Sequence, residues 1–228
     1  MKFITTALIG GGLIAYSFFV TRFPNPSLSV LPLNLLLAVL LVVLAHRWFG
    51  IRWKELGIAP SGLCHGVHWG VLLSVIIATV LMSLAWAKPD AFRCGDSRVV
   101  NYGIGLFLLH VLVRIPFGTA LAEEVIFRGV LFATIRRWSS ATGAIAISAL
   151  FFGLWHIAPT LALLNATERV SGCPNQTTVL ISALIFTLGA GVVFALLRLR
   201  TGNIAAPILV HATYNAIGLI ATYIALSG

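Results

Sequence analysis

The sequence predicts an all-α, polytopic membrane protein, a transmembrane helical bundle, and three observations carry that prediction. Hydrophobic residues make up 59% of the 228 residues and charged residues only 9%, too few to clothe a water-soluble globule. The mean hydropathy is +1.02. The apolar residues fall in long runs, each near the roughly 20 residues that carry a helix across the hydrocarbon core. About seven crossings fit, over about 3–21, 28–46, 64–87, 102–137, 140–159, 178–198 and 203–226. No soluble domain, internal repeat or low-complexity segment interrupts them, so 1–228 reads as a single transmembrane domain.

The first run follows Lys2, as a signal peptide's apolar stretch does, but no small-x-small cleavage pattern precedes Arg22; it reads as a membrane helix. After the second run comes RWFGIRWKELGIAPSG, 47–62, basic, tryptophan-rich and amphipathic, which suits a short helix lying in the interface. The third run opens with GVHWG, whose Gly66 and Gly70 have the spacing of a close-packing face. The fourth run, 102–137, is over-long for one crossing. Lys and Arg set orientation. With the N-terminus inside, Lys2, Arg47, Arg52, Lys54, Arg136, Arg137, Arg198 and Arg200 fall on the inner side, against Arg22, Lys88, Arg93, Arg98 and Arg169 outside. Eight against five predicts a cytoplasmic N-terminus. The net charge of +9 is therefore a matter of topology and anionic lipid headgroups, and nucleic acid is not an expected partner. Cys94 and Cys173 then lie in two outer loops, where a disulfide and a pair of unlinked thiols both remain open. Asn165 and Asn175 head sequons that matter only in a glycosylating host.

In a chain this poor in charge, LAEEVIFRG, 121–129, is the anomaly. Glu124 and Arg128 are four apart and share a helix face, with the acid N-terminal to the base, the favourable order. Pairing lowers the cost of holding both charges in a low dielectric. Glu123 lies about 100° round the helix and gains no such partner. An apolar interior moves an unpaired carboxyl's ionisation toward neutral pH, the range a general base or acid needs. A purely structural polar cluster gluing helices together is the alternative. Two further pairs stand out, Phe152 with His156 in FFGLWHIAP and His211 with Asn215 in LVHATYNA, each four apart. Taken singly, these histidines read as readily as helix contacts. His46, His65, His68 and His110 receive no role, and Cys64, His65 and His68 at a helix start are not read as a metal site.

Depth links the pieces. With a turn at Ser139–Ser140, Glu123 and Glu124 lie about 16 residues before the hairpin tip and His156 about 16 after it, so both sit about 24 Å in. His211 and Asn215 lie about 14 to 21 Å beyond the next inner turn, near Thr201–Gly202. The expected cluster holds a base, a histidine partner and a His/Asn donor pair, which suits attack of water on a carbonyl and stabilisation of an oxyanion. No serine or cysteine beside a base offers a nucleophile. Glu123, His156 and His211 also form a candidate ligand set for a divalent, zinc-like metal, although no HExxH is present.

EEVIFRG, FFGLWH and HATYN together resemble the EExxxR, FxxxH and HxxxN motifs of the CPBP family, the CAAX proteases and bacteriocin-processing proteins also called Abi, which includes the type II CAAX prenyl endopeptidases. WKELGI is similar to the family's amphipathic lead-in. The resemblance spans roughly 47–220, with the motif-bearing catalytic core about 101–220. It implies glutamate-dependent intramembrane proteolysis, with Glu123 as catalytic glutamate, His156 as its partner on water, His211 and Asn215 as the oxyanion site, and Glu124 and Arg128 orienting Glu123. Members are described as metalloproteases. The implied partner is a hydrophobic peptide or lipid-modified protein tail, and the implied location a bacterial cell membrane. Family members often carry an eighth helix, whereas this chain runs about 13 residues past Asn215. Two other classes fit the same polar core, a non-catalytic peptide-binding or bacteriocin-immunity protein and a small proton-coupled transporter.

Overall fold

The structure, a computed structural model, describes residues 2–23, 26–166 and 173–227. Arg169, one of the basic residues used for orientation, lies outside them. The described chain is helical, and seven of its helices are long and apolar enough to cross a membrane. We number the helices α1 (Lys2–Val20), α2 (Pro26–Arg47), α3 (Trp53–Leu56), α4 (Leu63–Ala87), α5 (Ile104–Arg136), α6 (Ala141–Trp155), α7 (Ile157–Ala166), α8 (Gln176–Thr201) and α9 (Ala205–Ser227). Large apolar side chains such as Leu8, Val39, Ile76, Leu112 and Ile185 face outward, as lipid requires.

The over-long fourth run is the central helix of the bundle. Between Ala120 and Ile135 almost every residue of α5 is buried, because its apolar residues fall on every side of the helix rather than on one stripe, and its three charged residues are enclosed with them. Ile126, Phe127, Leu131 and Ile135 form the core with Leu13 of α1, Ala38 of α2, Phe152 and Trp155 of α6, and Phe194 of α8. The backbone of α5 is not uniform. Two π-helical stretches, His110–Leu121 and Val125–Leu131, flank the three α-helical residues Ala122–Glu124. Such widened turns concentrate at functional sites.

The fifth run does not end at Pro159. It continues to Ala166, giving a 26-residue crossing broken at His156. Pro159 has no N–H and its ring crowds the carbonyl four residues back, that of Trp155, so the helix cannot pass unbroken. The His156 amide closes the turn on Gly153 O instead, at 3.0 Å. The proline therefore kinks the crossing where a terminus was expected, and leaves the imidazole at the break.

Gly66 and Gly70 do form a close-packing face. A Cβ on Gly70 would stand 2.8 Å from Leu209 Cδ1 and 3.0 Å from Ala206 Cα, so α4 and α9 approach backbone to backbone. On the opposite membrane face from the α8–α9 turn, the disulfide Cys94–Cys173 joins the α4–α5 loop to the start of α8. Next to it, Gly95 packs on Thr222 of α9.

The predicted interfacial helix is α3, and it is stapled to the bundle by charge. Glu55 returns to the Arg52 amide at 2.9 Å and accepts from Arg137, at the end of α5, at 3.1 and 3.2 Å. Arg137 also donates to Gly50 O at 2.8 Å and to Phe49 O. Gly57 ends α3 with φ +74°, and a Cβ there would strike the Arg198 guanidinium, which donates to Glu55 O at 2.9 Å. Trp48 and Trp53 stand exposed along this edge, and exposed indoles favour the headgroup region of a bilayer.

Burial acts to raise the Glu55 carboxyl, but hydrogen bonds from Arg52 and Arg137 and the Arg137 charge outweigh it and hold it below the ordinary carboxylate range. A depressed carboxyl stabilises the fold fully above its unfolded value and loses that contribution as pH falls through the folded one. The thermal midpoint in detergent is expected to drop as pH is lowered below about 4.3. Glu55→Gln should lower the neutral-pH midpoint and flatten that slope; identical slopes in the two proteins would refute the clamp.

Candidate functional site

The site begins with a guanidinium that no solvent reaches. Arg128 is 0% exposed, as is Glu124, and Nη1 donates to Glu124 Oε1 at 3.1 Å. Nη2 donates to the Gly191 carbonyl of α8 at 3.3 Å. Its central carbon lies 4.0 Å from the Phe152 ring centroid and 5.1 Å from that of Phe194, cation–π contacts that matter most where water is excluded. Gly191 admits this arrangement because a Cβ there would lie 2.9 Å from Ala149 Cα, so α6 and α8 close around the arginine.

Glu124 has a second partner. His211 Nδ1 stands 2.9 Å from the same Oε1. The carboxylate accepts, so His211 carries its proton on Nδ1, and Nε2 is the nitrogen left for other work. The imidazole stacks on Phe194 with centroids 5.2 Å apart. Glu124 thus binds α5 to α9, and what it orients directly is His211.

Glu123 faces a different set of groups. Trp155 Nε1 donates to Glu123 Oε1 at 3.3 Å. The other oxygen, Oε2, is buried without a hydrogen-bond partner and lies 3.7 Å from His156 Nε2. His156 Nδ1 is 2.7 Å from Phe152 O. A carbonyl only accepts, so Nδ1 bears the proton and a neutral His156 presents a bare Nε2 to Glu123. Two acceptors facing one another across 3.7 Å need a proton or a bridging water between them. Phe152 stands between the two histidines, 4.5 Å from His156 and 5.9 Å from His211 by ring centroids, so one ring spaces both imidazoles and covers Arg128.

His156, His211 and Asn215 line a cavity of about 830 Å³, together with Phe186, Val193 and Tyr214. The volume is in the range of small-molecule and peptide side-chain pockets. Glu123, Glu124 and Arg128 stand behind this lining. Five of the six predicted residues therefore meet in two units, Glu123 with His156 and Arg128–Glu124–His211. Asn215 joins them on the cavity wall, one turn beyond His211.

The candidate metal trio is not gathered. Among the described residues no group of three His, Cys, Asp or Glu side chains is assembled to hold an ion, because His211 is turned to Glu124 while Glu123 faces His156. Three contributors were not singled out from sequence. Trp155 sits inside the quoted FFGLWH stretch, and its indole N–H is a donor beside an acid. Gly191 carries a weak signal in LGAGVV, small residues that let helices approach. Phe194 carries none.

Comparison with known proteins identifies a family. Residues 105–217, about half of the chain and the part that holds all six residues, match the family described as Type II CAAX prenyl endopeptidase Rce1-like. The chain belongs to this family. No curated protein and no solved structure matches the chain. The family is one of proteases, and the seven apolar helices make this member an integral, multi-pass membrane protein.

Removing one partner of a buried ion pair leaves the other charge uncompensated, at a cost of about 3–5 kcal/mol. Arg128→Met is expected to destabilise the protein by about that amount in equilibrium unfolding in detergent. Glu124→Gln with Arg128→Met should recover part of the loss, because it removes the stranded charge; a double variant no more stable than Arg128→Met would refute the pairing.

Proposed function

We propose that the protein is an intramembrane endopeptidase in which Glu123 and His156 activate water. The observation that carries this reading is the unpartnered Glu123 Oε2 facing a bare His156 Nε2 beside an apolar cavity. A water between them donates to one acceptor and loses its proton to the pair as its oxygen bonds to the substrate carbonyl carbon. The carbonyl oxygen takes up negative charge. The Asn215 amide, and His211 when its Nε2 carries a proton, are the donors for that oxyanion. The C–N bond then breaks, and the proton held by the pair passes to the leaving amine.

Glu124 and Arg128 touch no substrate in this scheme. Glu124 fixes the His211 ring, and Arg128 fixes Glu124, in the manner of an outer shell that orients a working imidazole. The resemblance assigned them to Glu123; the contacts favour His211. No step is drawn through a metal. The cavity walls suit a hydrophobic peptide or a lipid-modified tail, in keeping with a family described as CAAX prenyl endopeptidases. We further propose a bacterial cell membrane as its location, with the N-terminus cytoplasmic.

The test is cleavage of quenched hydrophobic peptides by the full chain in lipid nanodiscs. Glu123→Gln and His156→Ala should each lower kcat by at least about 10²-fold with unfolding midpoints unchanged, and Asn215→Ala by about 10²-fold. Full cleavage by both Glu123→Gln and His156→Ala would exclude the mechanism. Proton-coupled flux that both lose, with no peptide ever cut, would make the protein a transporter. Exhaustive chelation should leave cleavage intact; loss that zinc restores would reinstate the trio Glu123, His156 and His211.

A further inference from the structure

A chain of contacts reaches Glu123 from helices outside the segment that matches the family. It starts in the widened stretch His110–Leu121 of α5. In a regular α-helix the Ala122 N–H would take the carbonyl four residues back, Gly118 O. Here it bonds to Phe117 O and Thr119 O. Gly118 O accepts from Asn34 Nδ2 of α2 at 2.9 Å. Gly118 admits the amide because it has no side chain. A Cβ there would stand 3.0 Å from Leu31 Cβ and Cγ, so α2 lies directly on this turn. Asn34 is buried, and an amide inside a membrane bundle is placed to bond across helices.

Asn34 makes a second bond. Tyr16 of α1 donates its hydroxyl to Asn34 Oδ1 at 3.0 Å. The Tyr16 ring stacks on the Trp155 indole, with centroids 5.7 Å apart and planes 17° from parallel. Phe127 meets the same indole edge-on, at 5.6 Å. The indole N–H donates to Glu123 Oε1 at 3.3 Å. The contacts therefore leave α5 at Gly118, pass through α2, α1 and α6, and return to α5 at Glu123. Tyr16 and Asn34 precede the matched residues 105–217.

The last torsion of a glutamate is broad and nearly two-fold, so its two oxygens are interchangeable until a donor distinguishes them. Trp155 supplies that donor. With Oε1 held, Oε2 is the oxygen left facing His156 Nε2 at 3.7 Å. The indole directs the carboxyl only if it is itself held, and Tyr16 on its face with Phe127 at its edge hold it. Asn34 secures Tyr16 through the hydroxyl and secures the widened turn just before Glu123. We propose that Asn34, Tyr16 and Trp155 are positioning residues that hold Glu123 Oε1 and so present Oε2 to water and His156. None of the three lines the cavity, so their effect falls on turnover rather than on substrate binding. The proposal rests on the peptidase reading of the Glu123–His156 pair.

The test uses the full chain in lipid nanodiscs and the quenched hydrophobic peptides. Trp155→Phe keeps an aromatic ring but loses the N–H, and should lower kcat by about 10- to 100-fold with KM within about twofold of wild type. Tyr16→Leu and Asn34→Leu should each lower kcat by about tenfold, again without a matching change in KM. Tyr16→Phe keeps the stack and should hold kcat within about threefold of wild type. Trp155→Phe and Tyr16→Phe preserve ring packing, so the test does not depend on Asn34→Leu folding. Ser17→Ala is the packing control. Ser17 is buried beside Tyr16 in the chain and donates to Ile14 O at 2.9 Å, and its loss should leave kcat unchanged. A loss carried by KM in Trp155→Phe and Tyr16→Leu, or a Ser17→Ala loss as large as that of Tyr16→Leu, overturns the proposal. A spectroscopic arm separates it from the peptidase reading. The infrared difference between each protein and the same protein carrying Glu123→Gln isolates the Glu123 carboxyl band. That band should shift in Trp155→Phe and Tyr16→Leu and stay in place in Ser17→Ala, whether or not any peptide is cut. A band unmoved in both Trp155→Phe and Tyr16→Leu overturns the proposal even where kcat falls. If wild type cuts no peptide while the band moves as expected, the peptidase reading falls and the hold on Glu123 stands.

Discussion

The burial of the Arg128 guanidinium is the constraint on which the rest depends. A fully desolvated cation in an apolar bundle needs partners close by, and Arg128 takes them from three helices. Glu124 of α5 supplies the counter-charge, Gly191 of α8 a carbonyl, and Phe152 of α6 and Phe194 of α8 their ring faces. Through Glu124 the same network takes in His211 of α9. Apolar packing alone would tolerate some sliding between such helices, since lipid-facing and core-facing leucines differ little. A carboxylate shared by a guanidinium and an imidazole does not tolerate it. The ion pair is best understood as a register device, because desolvation offsets much of its Coulombic gain.

Adjacent carboxylates on one helix point to different neighbours, and this bundle uses the divergence. Glu124 faces the cation and the donor histidine. Glu123 faces Trp155 and His156, with one oxygen satisfied and the other directed at a bare nitrogen. The kink imposed by Pro159 brings His156 to the level of Glu123 and to the cavity wall at once. Had α6 run straight through, the imidazole would have continued the helix's own face instead of occupying its break.

The two ends of the bundle are secured by different chemistry. At one, Arg137 and Arg198 draw α3 onto the ends of α5 and α8 through Glu55 and backbone carbonyls. At the other, a disulfide joins the α4–α5 loop, which packs on α9, to the start of α8. Helices α8 and α9 wall the cavity between these points, joined by the turn at Gly202 at one end and by the bridged loops at the other. The cavity is thereby held between two fixed ends, while its apolar flanks face lipid.

Much of this was legible in the residues themselves. Hydropathy runs placed seven crossings, and for most of them the ends fall within a few residues of the observed helices, because a 30 Å apolar slab imposes its length on any helix that spans it. The scarcity of acids made Glu123, Glu124 and Arg128 conspicuous, and helical spacing paired the last two correctly. Depth counting brought His156 to Glu123. Other features depended on tertiary packing. That Glu124 grips His211, that Trp155 and Gly191 complete the polar contacts, that Pro159 bends a crossing instead of ending it, and that Cys94 meets Cys173 are all contacts between segments distant in the chain. Local pattern states what a residue needs, a counter-charge, a donor or a neighbour without a side chain. Which distant group supplies it is decided only when the helices close on one another and every buried polar atom has to find its partner among those that packing brings within reach.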